Sequence, residues 1–465
     1  MIVKLSNGRE IPVEMHKVRI IQKTYLVPAE KRLKVLEEGG YNTFSLRTRD
    51  IFLDMLTDSG TNAMSDNQLA AMMVSDDAYA GCESFYKLTA SIKDVLGFEY
   101  VLPVHQGRAA EHLLAKVLVK PGDVVPMNYH FTTTKAHFEL AGGTVLEIFR
   151  DLALQTQSTE PFKGNLDLQK FKDVIAKYGT DKIPFVRMEA TTNLLGGQPF
   201  SMENLREVKK IAAQHNIPLV YDGSLISENA YFIKKREPGY ANMAVKQIVQ
   251  EMFSYADGAT MSAKKDALVN MGGFLALNDT QLAARARNLL IMTEGFPTYG
   301  GLAGRDLEAI AIGLDEILDE HYLQYRIRSV EYLGERLTKA GVAILQPPGG
   351  HAIYLDAKRI LPHVPAEQYP GQALVVELYR VGGIRSVEIG SVMFGKYDPD
   401  GKLIPSRMEL VRLAIPRRVY TQSHIDYVIE VVIETFNKRQ SLKGYKIVEE
   451  APMLRHFTAK FAPLD

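Results

Sequence analysis

The most informative feature of this sequence is a regular alternation of short apolar runs and amphipathic helical segments that begins near residue 95. The pattern predicts strands at residues 124–127, 144–149, 183–186 and 217–221. Asp167 and Ser201 stand where each would cap a helix between two of these strands. Strands and helices in alternation indicate parallel strands joined by crossover helices, which is an α/β fold. Because ligands collect at the carboxyl ends of parallel strands, polar residues at those ends are the first candidates for a functional site.

After about residue 310 the alternation stops, and long helices separated by isolated strands follow. The predicted elements there are a helix over 314–340 that Gly341 ends, strands at 352–355 and 410–415, and a final long helix capped by Thr421 or Ser423. We therefore predict a large domain over residues 51–310 and a smaller α+β domain formed by residues 1–50 and 311–465.

Composition narrows the classes of function. The 465 residues include 55 Lys and Arg and 55 Asp and Glu, so the formal net charge is zero and the basic excess typical of nucleic-acid binding is absent. Cys82 is the one cysteine, as expected of a chain in a reducing compartment. The first residues show no signal-peptide core, and no run approaches the about 18 apolar residues of a membrane span. These features, with the length of the chain, predict a folded cytoplasmic enzyme with no nucleic-acid or membrane partner.

Two adjacent lysines, Lys264 and Lys265, follow a run of small residues and precede Gly272 and Gly273. One interpretation is a solvated surface pair. The other is a Schiff-base lysine, because a planar cofactor needs small neighbours and a cation or hydroxyl for its phosphate. In that interpretation Ser262 and Lys264 bind the phosphate.

Asp222 directly follows the predicted strand 217–221, at the edge of the sheet where ligands bind. It either caps the next helix or accepts a hydrogen bond from a protonated pyridine nitrogen, which makes the ring an electron sink. Gly107 lies at a predicted helix start, where backbone N–H groups can approach an anion. An ordinary strand-to-helix turn explains Gly107 equally well.

Phe131 and Arg412 are two further candidates, each with a structural alternative. Phe131 could stack on a flat ring or be a core residue, and Arg412 could bind a substrate carboxylate or form a structural ion pair. The sequence has no cysteine pair, no His-x-x-x-His pair, no Gly-x-x-x-x-Gly-Lys phosphate loop and no Gly-x-Ser-x-Gly elbow. A lysine, a strand-end aspartate, a phosphate cup and an arginine are together what a pyridoxal phosphate enzyme acting on amino acids requires.

Longer motifs carry a resemblance that covers nearly the whole chain. They are LTDSGTN at 56–62, DAYAG at 77–81, GGQP at 196–199, ENAYFI at 228–233, MSAKKD at 261–266, YGGLAGR at 299–305 and RLAIPR at 412–417. In these motifs the chain resembles the tryptophanase and tyrosine phenol-lyase family of β-eliminating lyases. The resemblance implies the aspartate-aminotransferase-like fold of type I, with a mainly parallel seven-stranded sheet and a small α+β domain. It also implies pyridoxal 5'-phosphate as cofactor and a homotetramer whose active sites lie between subunits.

The resemblance further implies roles for individual residues. Lys265 would bind the cofactor covalently, Asp222 would hold its ring nitrogen, and Tyr79 would protonate the leaving group. The other cofactor contacts would be Gln106, Gly107, Arg108, Phe131, Asn193, Ser262 and Lys264. The substrate would be contacted by Arg412, Thr57, Ser59, Phe44, Thr132, Ile389 and His456. A monovalent cation, potassium, would be bound by Gly60, Asp77 and Asn270.

Three positions differ between tryptophanases and tyrosine phenol-lyases, and they do not all favour the same substrate. At Ile389 and His456 the chain resembles tryptophanases, since phenol-lyases carry arginine and phenylalanine at these positions. Thr132 is similar to phenol-lyases, since tryptophanases carry an aspartate there. The resemblance implies a carbon–carbon β-lyase that releases an aromatic product, pyruvate and ammonia, tryptophanase-like, with a tyrosine phenol-lyase as the alternative.

Leu225 is the largest departure from the family pattern. An arginine is expected there, in contact with the cofactor's ring oxygen, and leucine can neither donate a hydrogen bond nor carry charge. Asp77 replaces a glutamate, and Ala109 replaces a glycine of the phosphate turn. These departures leave two alternatives, a divergent β-eliminating lyase with another substrate and a silent homologue that binds ligand or serves in assembly.

Overall fold

The computed structural model describes residues 2–464 and divides the chain into two compact units. Unit 1 runs to Met15 and also contains residues 59–153 and 160–327. Unit 2 contains residues 16–58, 154–159 and the chain from Arg328 onward. The main boundaries therefore fall at residues 58 and 327, where the sequence predicted them at 50 and 310. None of the helices between residues 2 and 464 has the length and apolar character needed to cross a membrane.

The elements are numbered along the chain. The strands are β1 (Ile2–Lys4), β2 (Glu10–Pro12), β3 (Leu53–Asp54), β4 (Tyr100–Val104), β5 (Val124–Met127), β6 (Thr144–Glu147), β7 (Val186–Glu189), β8 (Leu219–Asp222), β9 (Gly258–Ser262), β10 (Gly273–Leu277), β11 (Ala352–Asp356), β12 (Ile384–Arg385), β13 (Val387–Ile389), β14 (Lys396–Tyr397), β15 (Leu403–Ile404), β16 (Leu410–Ala414), β17 (Tyr445–Glu449) and β18 (Lys460–Pro463). The α-helices are α1 (Ala29–Glu38), α2 (Asp66–Met73), α3 (Glu83–Leu96), α4 (Gly107–Leu118), α5 (Thr132–Leu140), α6 (Leu168–Tyr178), α7 (Met202–Gln214), α8 (Ile226–Arg236), α9 (Val245–Ser254), α10 (Thr280–Thr293), α11 (Gly304–Glu316), α12 (Glu320–Lys339), α13 (Ala357–Ile360), α14 (Pro370–Gly382), α15 (Ser391–Phe394) and α16 (Gln422–Asn437). Short 3₁₀ turns lie at Thr43–Ser45, Thr48–Asp50, Asp151–Leu154, Thr180–Lys182, Asn193–Leu195, Ala366–Gln368, Arg439–Ser441 and Arg455–Phe457.

A seven-stranded sheet in the order β4-β10-β9-β8-β7-β5-β6 forms the centre of unit 1. The strands from β9 to β6 are parallel, and β10 runs antiparallel to both β4 and β9. The predicted α/β fold with a mainly parallel sheet is therefore confirmed. Because β4 and β9 are both antiparallel to β10, β4 runs in the same direction as the parallel strands. The carboxyl ends of β4, β5, β7, β8 and β9 consequently lie along one edge of the sheet.

Two predicted helix caps in unit 1 are confirmed. The Asp167 carboxylate accepts hydrogen bonds from the backbone N–H groups of Gln169 at 3.0 Å and Lys170 at 3.1 Å, at the start of α6. The Ser201 hydroxyl accepts from the N–H of Asn204 at 3.1 Å, at the start of α7. Each cap satisfies N–H groups that have no partner inside the helix, so these helices begin where the sequence indicates.

Two predicted elements are wrong in their bounds. The helix predicted over 314–340 is two helices, α11 and α12, separated at residues 317–319. The break occurs because Asp319 Oδ1 accepts from the N–H of Tyr322 at 2.8 Å and so caps a new helix. The strand predicted at 183–186 begins only at Val186, since Pro184 has no N–H to give to a sheet. Gly341, with φ of +82°, follows the end of α12 as predicted.

Unit 2 contains the antiparallel sheet β11-β16-β13. Its core is formed by apolar residues from this sheet and from α12, α14 and α16, including Leu333, Ile353, Leu374, Val411 and Val428. Antiparallel strands between long helices give the α+β character that the second half of the sequence predicts.

Candidate active site

Asp222, the last residue of β8, is buried at the edge of the sheet where the parallel strands end. Arg187 in the neighbouring strand β7 donates from Nη2 to Asp222 Oδ2 at 2.9 Å and to Thr260 Oγ1 at 2.9 Å. The backbone N–H of Ser224 donates to Asp222 Oδ1 at 3.0 Å. Both carboxylate oxygens are therefore held, and the orientation of the side chain is fixed.

The charges around Asp222 keep its carboxyl group ionised. Burial alone would raise the pKa of Asp222, but the positive charges of Arg187 and Lys265 and the hydrogen bonds from Ser224 hold that pKa below its ordinary value. The neighbouring carboxyl groups behave differently. Burial, and then the negative charge of Asp222, raises the pKa of Glu189 to about 8. Burial also raises the pKa of Glu111. Asp222 is thus the carboxyl group of the three whose surroundings favour the ionised form, which is the form that a protonated pyridine nitrogen requires.

Lys265 lies just beyond the end of β9, in a turn that hydrogen bonds hold in place. Its N–H donates to the carbonyl of Ser262 at 3.2 Å, and the N–H of Asp266 donates to the carbonyl of Ser224 at 3.2 Å. Lys265 Nζ lies 5.4 Å from the centroid of the Phe131 ring. The predicted Schiff-base lysine and the predicted stacking ring are therefore neighbours. Both Lys264 and Lys265 are half-buried, unlike a fully solvated pair.

The first turn of α4 and a group of cations lie beside Ser262. Burial lowers the pKa of Lys264, and the charges of Lys265 and Arg108 lower it further, which is the situation that a bound anion relieves. No side chain caps α4 at its start, so its first N–H groups can serve an anion. A Cβ on Gly107 would lie 2.7 Å from Ser262 Cβ, so glycine lets this turn come close to β9. The residues present fit the phosphate and the ring nitrogen of pyridoxal phosphate.

The predicted cofactor contacts share one topological position. Each lies at or shortly after the carboxyl end of a strand that runs in the common direction. The strands and residues are β4 with Gln106, Gly107 and Arg108, β5 with Phe131, β7 with Asn193, β8 with Asp222, and β9 with Ser262, Lys264 and Lys265. Asn193 is also tied to the site, because its N–H donates to Glu189 Oε1 at 2.9 Å.

Leu225 lies three residues after Asp222 and is 2% exposed. Its N–H donates to the carbonyl of Ala190 at 3.0 Å, which joins the start of α8 to the segment that follows β7. The neighbouring Ser224 hydroxyl accepts from the N–H of Ser262 at 2.9 Å. The position expected to hold an arginine is therefore a buried apolar one.

Tyr79 lies apart from this group. Its side chain is 73% exposed, and its ring centroid is 5.6 Å from that of Phe296 and 5.4 Å from that of Tyr299. Within residues 2–464, no hydrogen bond links Tyr79 to Lys265 or Asp222. The predicted role of Tyr79 stays a prediction.

Two of the three predicted cation ligands lie together. The carbonyl of Gly60 accepts from Asn270 Nδ2 at 3.0 Å, and the N–H of Gly60 donates to the carbonyl of Lys264 at 2.8 Å. Asp77 is exposed and lies beside Gly304. No group of three or more His, Cys, Asp or Glu side chains that could hold a metal occurs in the described part of the chain. Ser59, next to Gly60, is half-buried.

Most of the residues predicted to contact the substrate belong to unit 2. Arg412, in the middle of β16, is buried and donates from Nη2 to the carbonyl of Leu56 at 2.9 Å. Burial, followed by the charges of Arg412 and Arg455, lowers the pKa of His456 to about 4, so this imidazole is neutral at pH 7. The His456 ring centroid is 6.0 Å from that of Phe44. Arg412, His456 and Phe44 thus form a cluster within the unit.

Of the other four predicted substrate contacts, Thr57 and Ile389 also belong to unit 2, whereas Ser59 and Thr132 belong to unit 1. Thr57 is half-buried and follows Leu56, and Ile389 is buried at the end of β13. Thr132 is the buried first residue of α5 in unit 1, directly after Phe131.

Sequence reasoning missed Arg187, Glu189 and Glu111. A signal was available for two of them, because Arg187 and Glu189 alternate with apolar residues in a strand that the fold buries on both faces. Charged residues in such a strand are rare unless they are paired. Glu111 gives no comparable signal, because its position in an amphipathic helix is ordinary for a glutamate.

Comparisons with known proteins agree with this geometry. The chain matches the β-eliminating lyase family over residues 54–431. It is 49% identical to the tyrosine phenol-lyase of Symbiobacterium thermophilum over 452 residues, which cover 97% of this chain and 99% of that protein. It is 51% identical to the tryptophanase of Salinibacter ruber over 451 residues, which cover 97% of this chain and 95% of that protein.

The fold has a more distant likeness among solved structures. An aspartate aminotransferase from Thermotoga maritima superposes with a TM-score of 0.59 at 13% identity, covering 88% of this chain and 95% of that chain. This confirms the predicted fold of type I. The family match implies pyridoxal phosphate as cofactor. With a full-length match to curated relatives and a fitting cofactor site, the chain belongs to the β-eliminating lyase family.

Proposed function

We propose that this lyase uses pyridoxal phosphate to remove the aromatic group from Cβ of an aromatic L-amino acid, giving pyruvate and ammonia as the other products. The observation that carries the proposal is the convergence of ionised Asp222, Lys265 and the Phe131 ring at one edge of the sheet. The family match and the two relatives of about equal identity support the same class of reaction.

The proposed chemistry divides the work between cofactor and protein. Bound pyridoxal phosphate supplies an electron sink for the charge that develops at Cα. Asp222 holds the ring nitrogen, and Lys265 Nζ removes the proton from Cα. Tyr79 donates a proton to the leaving aromatic carbon, a contribution of about 10²–10⁴ in rate for a general acid. Arg412 supplies a buried guanidinium for the substrate carboxylate, for which its planar fork is suited.

The choice between indole and phenol as the leaving group is open, and we favour the tryptophanase-like reaction. Ile389 and His456 support it, and neutral His456 can donate or accept one hydrogen bond. Thr132 supports the phenol-lyase alternative. Leu225 supports a third possibility, a β-eliminating lyase with another substituent on Cβ, because the site lacks the expected arginine.

A substrate screen tests the proposal. Purified protein with added pyridoxal phosphate is assayed for pyruvate release from tryptophan, tyrosine, S-alkylcysteines and serine. Release from tryptophan or tyrosine supports the proposal, and release from only S-alkylcysteines or serine favours the divergent lyase. The Lys265→Ala variant should lose all release, whereas Lys116→Ala, at an exposed lysine of α4, should keep it. If no substrate gave pyruvate and no cofactor were bound, the result would support a catalytically silent homologue.

We also propose that the protein binds potassium, forms a homotetramer and is located in the cytoplasm. Gly60 and Asn270 support a potassium site, which predicts higher activity in potassium than in sodium buffer at equal ionic strength. Exposed apolar residues near the start of the chain, including Ile20 and Ile21, support association into a homotetramer, which light scattering on a sizing column would measure. A single cysteine supports a cytoplasmic location, which fractionation of the source cells would test.

A further inference from the structure

Arg187 is a charged residue in a central strand, and the proposed chemistry does not by itself require it. It is 1% exposed, and its register places it between Met127 of β5 and Val220 of β8. Its guanidinium lies 5.9 Å from the centroid of the Phe138 ring. A guanidinium cannot be neutralised in a protein, so the surroundings must compensate its charge.

Three buried carboxyl groups surround this cation. Asp222 Oδ2 is 2.9 Å from Arg187 Nη2, and Glu111 Oε1 is 3.6 Å from it. Glu189 is two residues along the same strand, hence on the same face, and it is directly opposite Asp222 in the sheet. Glu111 also accepts from the hydroxyl groups of Thr133 and Thr134.

The protonation of these groups decides which one pairs with Arg187. Burial raises the pKa of Glu111 and raises that of Glu189 to about 8, whereas the pKa of Asp222 is lowered. Of the three carboxyl groups, Asp222 is therefore the one whose surroundings favour the anionic form, and it also makes the closer contact with Arg187. Lys265 faces the same carboxylate, so Asp222 is shared between two cations of the protein before a cofactor is considered.

A second observation separates Arg187 from an ordinary structural arginine. Its Nη1 is buried and has no hydrogen-bond partner among the described residues. Buried donors are nearly always satisfied, and an unsatisfied one in a native structure calls for an explanation. The hydrogen bonds from Nη2 to Asp222 and Thr260 thus fix the guanidinium in a position that leaves Nη1 without a hydrogen-bond partner among the described residues.

We propose that Arg187 is a positioning residue that holds Asp222 and withdraws part of its negative charge, so that the ring nitrogen of bound pyridoxal phosphate is less strongly protonated than with an unpaired aspartate. The inference rests on the proposed use of this cofactor. A carboxylate beside a guanidinium is a weaker proton acceptor, so a nitrogen that shares its proton with Asp222 retains that proton less firmly. An opposite charge at such a distance changes proton affinity by about 10- to 1000-fold.

The experiment measures the ring nitrogen itself. Holoenzyme is prepared with pyridoxal phosphate labelled with ¹⁵N in the ring, and the ¹⁵N resonance is followed from pH 6 to 9. In Arg187→Met the resonance should keep its protonated position to a pH at least about one unit higher than in the unchanged protein, a tenfold change in proton binding. Arg187→Lys keeps the positive charge and should lie closer to the unchanged protein. Arg326→Met is the matched control, since Arg326 is also buried in unit 1 and pairs with Glu228 at 3.0 Å.

Each outcome decides the inference. Identical ¹⁵N titrations for the unchanged protein and Arg187→Met, or an equal shift in Arg326→Met, would overturn it. If Arg187→Met does not fold, Arg187→Gln, which also removes the positive charge, takes its place, and a ¹⁵N titration identical to that of the unchanged protein would overturn the inference. Failure of the proposed use of pyridoxal phosphate looks different, since borohydride treatment would then leave no pyridoxyl group on the protein. Failure of the proposed substrate class shows only in the pyruvate assay and leaves the ¹⁵N titration unaffected.

Discussion

A single methyl group added at Gly107 should weaken cofactor binding. The added Cβ would lie 2.7 Å from Ser262 Cβ, 3.0 Å from its Cα and 3.1 Å from its backbone N. Carbon atoms in contact are separated by about 3.5 Å or more, so the start of α4 must move by roughly 0.8 Å from β9. Overpacking of this kind costs about 1–3 kcal/mol, and the better helix propensity of alanine returns about 0.5–1 kcal/mol. We expect Gly107→Ala to lower the free energy of unfolding by about 0–2.5 kcal/mol.

Cofactor affinity should report the same displacement. A helix start contributes about 0.3–2 kcal/mol to an anion in its first turn, so moving it away should raise the Kd of pyridoxal phosphate by about 2- to 30-fold. Titration of the apoenzyme, followed by absorbance, measures this Kd, and thermal melting measures stability. Ser262→Gly removes the nearest of the three atoms, so the double variant should show a favourable coupling between the two sites. An unchanged Kd and an unchanged Tm in Gly107→Ala would refute the reasoning.

Three further predictions concern the lysine pair, Leu225 and the carboxyl groups of unit 2. Borohydride reduction and peptide mapping should place the pyridoxyl group on Lys265, and labelling of Lys264 instead would contradict the assignment. Because Leu225 carries no charge that could stabilise the cofactor's ring oxygen, the rate of elimination from tryptophan and tyrosine should be low. Leu225→Arg should raise this rate and shift the pH dependence of cofactor absorbance. Leu225→Met, the control, should change neither the rate nor the absorbance. Burial raises the pKa of Glu388 to about 8 and that of Glu409 to about 7, from an ordinary 4.5. Between pH 4.5 and these values the folded state binds more protons than the unfolded state. The free energy of unfolding should therefore fall as pH rises from about 4.5 to 8. Denaturant titrations should show a shallower decrease for Glu388→Gln, and an equally steep one would show that burial of Glu388 is not its cause.

Local signals made the α/β core predictable from the sequence. Asp167 and Ser201 cap the helices that follow them, and a cap requires only backbone N–H groups two or three residues away. The predicted helix over 314–340 failed for the opposite reason. Its apolar spacing continues across the break, and Asp319 stops one helix and starts another through a bond that the spacing does not reveal.

The site was predictable where residues follow strand ends and unpredictable where charges face each other across strands. Asp222 stands at the end of a predicted strand, so its place at the edge of the sheet follows from parallel topology. The strand β9 before Lys265 was not predicted, and Lys265 was identified from the lysine pair and its small neighbours. The pairing of Arg187 with Asp222 depends on which strands are neighbours, since β7 and β8 are joined through α7 and not by a hairpin. Helix propensity and apolar periodicity do not show which of three buried carboxyl groups has a raised pKa and which has a lowered one.

Leu225 and Arg187 are linked through the same backbone. The N–H of Leu225 donates to the carbonyl of Ala190, next to Glu189, so the segment after Asp222 and the end of β7 are fixed to one another. A positive charge at position 225 would lie in a segment beside the cofactor's ring, whereas Arg187 places its charge behind Asp222 in the sheet. This chain lacks the first arrangement, which would stabilise negative charge on the ring oxygen. It has the second, which would lower the negative charge on Asp222 and leave the ring nitrogen less strongly protonated. As proposed, Leu225 and Arg187 would both make the ring a weaker electron acceptor. A substrate with a readily expelled β-substituent is therefore the most informative comparison with tryptophan and tyrosine.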